Sequence, residues 1–235
     1  MLIDMHAHGS EISRCCKISL DEGLKVAQEN GMDGLVLANH YQKNYVTDGD
    51  YLGFAKRYMA ECDRAVEYGR AQGIPVFWAI EVTMEQYSAV HMLLYGVDHD
   101  FLLRHPTVFD YSQEQLYRAV QECGGVLVQA HPFRSGGAVL DTKLMDGVEV
   151  NCHPKYDYTY CKELMDIAQR DGLIVTCGGD YHKDTHRVRC GLYLPDSIGD
   201  SRALGVYLQQ ANEWKLCVTE VKTRTAEDVL FSRKV

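Results

Sequence analysis

The residues of this chain best suited to chemistry are imidazoles and carboxylates, which gather at the ends of short apolar runs. Asp4, His6 and His8 stand in DMHAH, His40 follows LVLAN, Glu81 lies in AIEV, and His131 ends VQAH; Glu149 lies in GVEVN, and Asp180 and His182 in GGDYH. In an extended strand alternate side chains share a face, so Asp4, His6 and His8 point one way and Ile3, Met5 and Ala7 the other. Imidazole and carboxylate brought together are ligands for divalent Zn, Mn or Fe. A lone buried histidine is usually a satisfied core residue, and a lone acid near a strand end is usually a cap or an ion-pair partner. Eight such residues, His6, His8, His40, Glu81, His131, Glu149, Asp180 and His182, at successive strand ends are a different case. Each is costly to bury unpaired, and the reading that covers all of them is a metal cluster.

Positioning them requires strands with a common polarity. Strand-like runs at 2–6, 33–39, 74–82, 91–96, 125–131, 147–151 and 173–180 alternate with helical patterns at 19–30, 50–73, 112–124 and 158–172. Ser19 or Asp21 caps the first helix, Ser112 with Gln115 forms a capping box, and Gly73, Gly124 and Gly172 follow three helices. This alternation predicts an α/β fold with a parallel sheet closed into a barrel of the TIM type, its carboxyl-end face carrying the site. Residues 188–235 are less regular and are read as the closing element of the same single domain, 1–235. His91 begins its strand rather than ending it, which leaves its place in the cluster open. His99 and His105 are read as solvated, and His186 as a loop residue near the site.

Composition narrows the function. A net charge of −9 disfavours a protein that grips long nucleic acid through its phosphates. It leaves small anionic substrates open, because bound cations invert the local field. The first twenty residues carry Asp, Glu and His where a signal peptide is apolar, and no run reaches the length of a membrane span. The nine cysteines (15, 16, 62, 123, 152, 161, 177, 190 and 217) include no CxxC pair, which points to reduced thiols in the cytoplasm rather than a disulfide framework or zinc knuckle.

Taken in order, DMHAH, ANHY, AIEVT with HMLLYG, QAHPF, GVEVN and GGDYH resemble the PHP (polymerase and histidinol phosphatase) domain family over residues 4 to 182. The resemblance implies a distorted (β/α)7 barrel that holds two or three divalent ions and hydrolyses phosphate esters. It implies that His6, His8, Glu81 and Asp180 hold one metal, that Glu81 bridges to a second with His91 and His131, and that His40 and His182 serve a third. The family commonly has a further Asp or His five or six residues after the second motif histidine, where this chain has Ser13 and Arg14; Glu11 is the nearest oxygen ligand and is taken as the substitute. The acid that often precedes the second-strand histidine is Asn39 here.

The expected chemistry is hydrolysis of a small phosphomonoester or short nucleotide by metal-bound water or hydroxide, with no protein nucleophile. Arg134, next to the His131 motif, is the first candidate for a fork-like phosphate contact; Arg14 and His153 are others. A protein-tyrosine phosphatase, and a metal-stabilised binding or regulatory module with weak catalysis, are the alternatives. The substrate, the native metal and the oligomeric state are not legible in the sequence.

Overall fold

A computed structural model describes residues 1–87, 90–156 and 158–233. Seven strands make the barrel wall: β1 (Leu2–Ala7), β2 (Gly34–Leu37), β4 (Val76–Thr83), β5 (His91–Tyr95), β6 (Val126–Gln129), β7 (Gly147–Asn151) and β8 (Ile174–Gly178), paired in that order. The two-residue β3 (His40–Tyr41) continues the path of β2 and pairs with the end of β4. Closure comes from the chain just beyond β8: the Asp180 N–H donates to the His6 carbonyl at 2.7 Å and the His8 N–H to the Tyr181 carbonyl at 3.1 Å. The result is a nearly closed α/β barrel.

Outside the wall lie α1 (Leu20–Glu29), α2 (Tyr51–Gln72), α4 (Gln113–Glu122), α5 (Cys161–Asp171) and α6 (Ser201–Gln210), with a single turn, α3 (Phe101–Arg104), before α4. The start signals read from sequence are present. Ser19 with Glu22 and Ser112 with Gln115 form reciprocal capping boxes, each satisfying two otherwise orphaned backbone N–H groups. Gly73 and Gly172 end α2 and α5 in the left-handed conformation, at φ 68° and 70°.

Two expectations need correction. The wall is not all parallel, because β5 runs antiparallel to both β4 and β6. Only residues 84–90 join β4 to β5, and a parallel return needs a crossover of about a dozen residues or more. The reversal settles the place of His91. It pairs with Thr83 at the end of β4, so the start of β5 lies at the barrel end where its neighbours finish. Second, residues 188–235 do not close the ring. Within them β9 (Gly191–Tyr193), β10 (Glu213–Thr219) and β11 (Ala226–Ser232) extend the sheet antiparallel from the first half of β1. β1 is therefore shared, its beginning paired with β9 and its end with the residues after β8.

Buried aromatics tie the wall together where the polar residues begin. The Tyr58 hydroxyl, from α2, donates to the Asn39 carbonyl at 2.5 Å and lies 3.2 Å from the Ala79 carbonyl, fixing the ends of β2 and β4 against each other. That junction sets the distance between His40 and Glu81, which pair in register.

Candidate metal centre

Glu81 is fully buried and stands at the middle of the polar face. Its Oε1 lies 3.3 Å from His6 Nε2, 3.0 Å from His91 Nδ1 and 3.3 Å from His131 Nε2. Its Oε2 lies 3.4 Å from His8 Nε2 and 2.6 Å from His40 Nδ1. Asp180 Oδ1 meets His8 Nε2 at 2.9 Å, and His182 lies against it from the next turn, Nδ1 to Oδ1 at 3.3 Å. One carboxylate thus touches five imidazoles contributed by β1, β3, β5 and the end of β6, and a second carboxylate lies alongside. The structure brings together eight of the nine expected metal ligands.

Backbone geometry at this rim is held against its own preference. His131 and Asp180 have φ of 31° and 51°, in the left-handed region that costs a non-glycine residue about 1–2 kcal/mol. Each is secured by its own amide, His131 donating to Glu149 Oε2 at 3.0 Å and Asp180 to the His6 carbonyl. Gly178 leaves the space that a Cβ would fill, since such an atom would stand 2.5 Å from His6 Cβ and 2.8 Å from Glu149 Oε1.

Glu149 is a positioning residue. Its Oε1 faces His6 Nδ1 at 2.8 Å, and its Oε2 accepts from Asn151 Nδ2 as well as from the His131 amide. A carboxylate behind an imidazole orients the ring, with Nδ1 as donor and Nε2 turned into the site. Ser13 does the same for the neighbouring ring: its Oγ lies 3.0 Å from His8 Nδ1, accepts from the His40 amide and donates to Asn39 Oδ1. The replacements at Ser13 and Asn39 noted in the sequence therefore build a support for His8. Asp4 stays behind the wall, its Oδ1 accepting from the amides of His6 and Gly179.

The electrostatics follow from this packing. Burial would raise the pKa of Glu81, but His40, His6 and His91 hold it well below the usual carboxylate range. Burial would also raise that of Asp180, and Arg134 and His6 hold it well below. Burial disfavours a charged His6, yet Glu149, Glu81 and Asp180 outweigh it and raise that ring well above its ordinary value. Burial, with His182 and His40 alongside, pushes His8 well below it, and burial with Arg134 lowers His131 to about 4.

A divalent ion fits this donor set. His6 Nε2 and His8 Nε2 face each other at 3.1 Å, close to the separation of about 3.3 Å expected for two imidazoles on one tetrahedral ion. Glu81 Oε2 and His40 Nδ1, 2.6 Å apart, lack the alignment of a hydrogen bond, and neither atom has a hydrogen-bond partner elsewhere. Imidazole and carboxylate atoms crowded in this way are a donor set that a cation can join. The sets His6–His8–Glu81, His40–Glu81–His91 and His8–His40–His182 each keep their ligand atoms within 4.8 Å of one another.

Other expected residues fall elsewhere. Glu11 is not with the cluster; its Oε1 accepts from the Leu20 amide at 3.3 Å and from Arg64 at 3.2 Å. Arg14 donates to the carbonyls of Asn44 and Tyr45 and lies over the Tyr45 ring, away from Glu81. Arg134 does reach the site: it pairs with Asp180 Oδ2, donates to Asn151 Oδ1 at 2.8 Å and stacks on Tyr156. His153 is buried at the rim with its ring centroid 4.2 Å from that of His186, and with His182 the two form a further imidazole triad. Burial lowers His153 to about 3 and His186 to about 4. His99 is exposed beside Asp63, whereas His105 is half-buried, 3.0 Å from the Tyr111 hydroxyl and packed on Phe101, so only the first is solvated as expected.

Sequence reasoning missed Cys15, whose Sγ lies 3.1 Å from His182 Nε2. Burial would raise this thiol, but His182 and His40 bring it down to about 5. A search for paired cysteines passes over it, because its neighbours are histidines distant in sequence.

No protein-family model matches this chain, and no curated protein sequence matches it. Solved structures do match. The whole chain superposes, with a TM-score of 0.64 and 11% identity, on 87% of a two-domain protein from Bacteroides vulgatus containing a predicted PHP-like metal-dependent phosphoesterase. The fold is PHP-like. A TM-score of 0.59 at 12% identity relates 92% of this chain to 57% of the lesion-specific endonuclease PfuEndoQ from Pyrococcus furiosus. A TM-score of 0.52 at 19% identity relates 77% of it to 88% of a protein from Bifidobacterium adolescentis inferred to be a metal-dependent phosphoesterase. Among the described residues no helix is long and apolar enough to cross a membrane.

Proposed function

We propose that this chain is a metal-dependent phosphoesterase of the PHP family acting on a small phosphomonoester or a short nucleotide. The observation that carries this reading is the convergence of five imidazoles on the single buried carboxylate of Glu81, with Asp180 and Arg134 beside them. His6, His8, Glu81 and Asp180 would hold one ion, Glu81, His91 and His131 a second, and His40 and His182 a third. When bound, such ions supply Lewis acidity to phosphoryl oxygens and lower the pKa of water. The protein's own part is positional. Glu149 and Ser13 keep the His6 and His8 lone pairs aimed inward, and the dry wall behind Glu81 keeps the field strong.

The organic part of the substrate has a place beside the ions. A cleft of about 290 Å³ opens next to His131 and Asn151 and is lined by Phe133, Arg134, Tyr156, Tyr158, Tyr160 and Leu164. Its size suits one ring system, and its walls suit a flat aromatic or nucleobase group. Together with the net charge of −9, this favours a small substrate over a long polyanion, including the nucleic acid on which an endonuclease acts.

The test is turnover of p-nitrophenyl phosphate by protein reconstituted with Mn or Zn. Hydrolysis that requires the ion is expected, and none with any of several phosphate esters would contradict the proposal. Arg134→Lys keeps the charge and loses the fork. Loss of a charge-assisted hydrogen bond, roughly 1.5–3 kcal/mol, lowers kcat/KM about 10- to 150-fold. Because Arg134 also pairs with Asp180, metal content is measured in parallel. An unchanged kcat/KM would remove Arg134 from the substrate's contacts.

A further inference from the structure

We propose that Cys15 supplies a thiolate ligand to a divalent cation that it holds together with His40 and His182. The proposal rests on the metal-centre reading above and adds to it the identity of a ligand. His182 Nδ1 lies 2.9 Å from the Asp180 backbone carbonyl, which only accepts, so Nδ1 carries a proton and Nε2 is the nitrogen left for a metal. Nε2 faces Cys15 Sγ at 3.1 Å.

His40 stands beside His182, their ring centroids 5.6 Å apart, and the two belong to one imidazole set with His8. The His40 side chain is more than nine-tenths buried, and its Nδ1, turned to Glu81, has no hydrogen-bond partner. Sulfur and nitrogen on one tetrahedral zinc stand about 3.5 Å apart, so a shift of a few tenths of an ångström converts the thiol–imidazole contact into shared coordination. As the sulfur–metal and nitrogen–metal bonds form, the proton shared by the Cys15–His182 pair leaves to solvent.

Cys15, not Glu11, stands beside His182, while Glu11 pairs with Arg64. A thiolate among imidazoles favours Zn, or its spectroscopic substitute Co, over Mg and Mn. The site would thus carry one ion of softer preference than the imidazole-and-carboxylate sites around Glu81.

Reconstitution with Co(II) alone tests this without reference to turnover. Native protein should show the near-ultraviolet sulfur-to-cobalt charge-transfer band. Cys15→Ser should lose that band and about one equivalent of cobalt, while keeping the visible bands of the remaining ions. Cys15→His should recover the cobalt without the charge-transfer band. Cobalt bound by native protein with no such band, or a band that survives in Cys15→Ser, would overturn the thiolate ligand and leave the other sites standing. Failure to bind any cobalt would overturn the metal centre itself. On native protein, alkylation of Cys15 by iodoacetamide, followed by peptide mass mapping, should be several-fold slower with Zn than without. Equal rates would again overturn the proposal.

Discussion

The ligand cluster and the neighbouring cleft are built from different parts of the fold. The cluster is carried on strand ends and is buried: His6, His8, Glu81 and Asp180 are no more than 2% exposed. The cleft is carried on the segments after β6 and β7, and its tyrosines stand partly in solvent, Tyr158 at 50% and Tyr160 at 37%. On strand ends each side chain has a direction imposed by the pleat and a position imposed by the register. That is how five imidazoles come to share one carboxylate. In the cleft, side chains are placed by turns such as 134–136, and Ser135 and Tyr160 take positive φ there. The difference separates tasks. On the proposed function, the strand-end ring would fix the chemistry and the loop-built rim would select the group attached to the phosphate.

The sharpest way to break this division is Glu81→Ala. Because Glu81 would serve two ions and offset their mutual repulsion, its loss should remove metal from both and lower turnover by about 10³-fold or more. His40→Ala should cost only the ion it shares. Metal content measured after gel filtration distinguishes the two, and equal losses in both variants would count against the bridge.

A smaller effect is expected one layer back. Glu149→Gln preserves shape but removes the charge behind His6, and should weaken metal affinity by about 10- to 100-fold, read by competition with a chelator. A change below twofold would make Glu149 part of the core rather than part of the site. The smallest effect belongs to the cleft. Tyr158→Ala should leave metal content intact and raise KM for an aromatic phosphate about 2- to 10-fold. The same rise for a small alkyl phosphate would show that the cleft does not read the organic group.

The same contrast explains what was legible in the sequence. All seven wall strands and the four long helices before β8 stand where periodicity and caps place them, because strands buried on both faces and capped amphipathic helices leave local signals. The reversed direction of β5 carried no such signal. It follows from the length of a connection, and it was this reversal that brought His91 to the end of the barrel where the other imidazoles gather. His6, His8, Glu81, His131 and Asp180 could be found from strand ends alone. Ser13 and Glu149 could be seen as residues but not as supports, since their work depends on which ring nitrogen they face. Glu11 looked suitable by its distance from His8, yet Arg64 on α2 draws it away. Cys15 takes its meaning from His182, which is remote in the chain and adjacent only across the barrel closure.

The central claim is that this ring of imidazoles and carboxylates exists to hold cations, and metal content tests it most directly. Protein purified without chelator should carry about two or more equivalents of Zn, Mn or Fe per chain by elemental analysis, and stripped protein should regain them on reconstitution. A value near zero, not restored by any of these ions, would contradict the account.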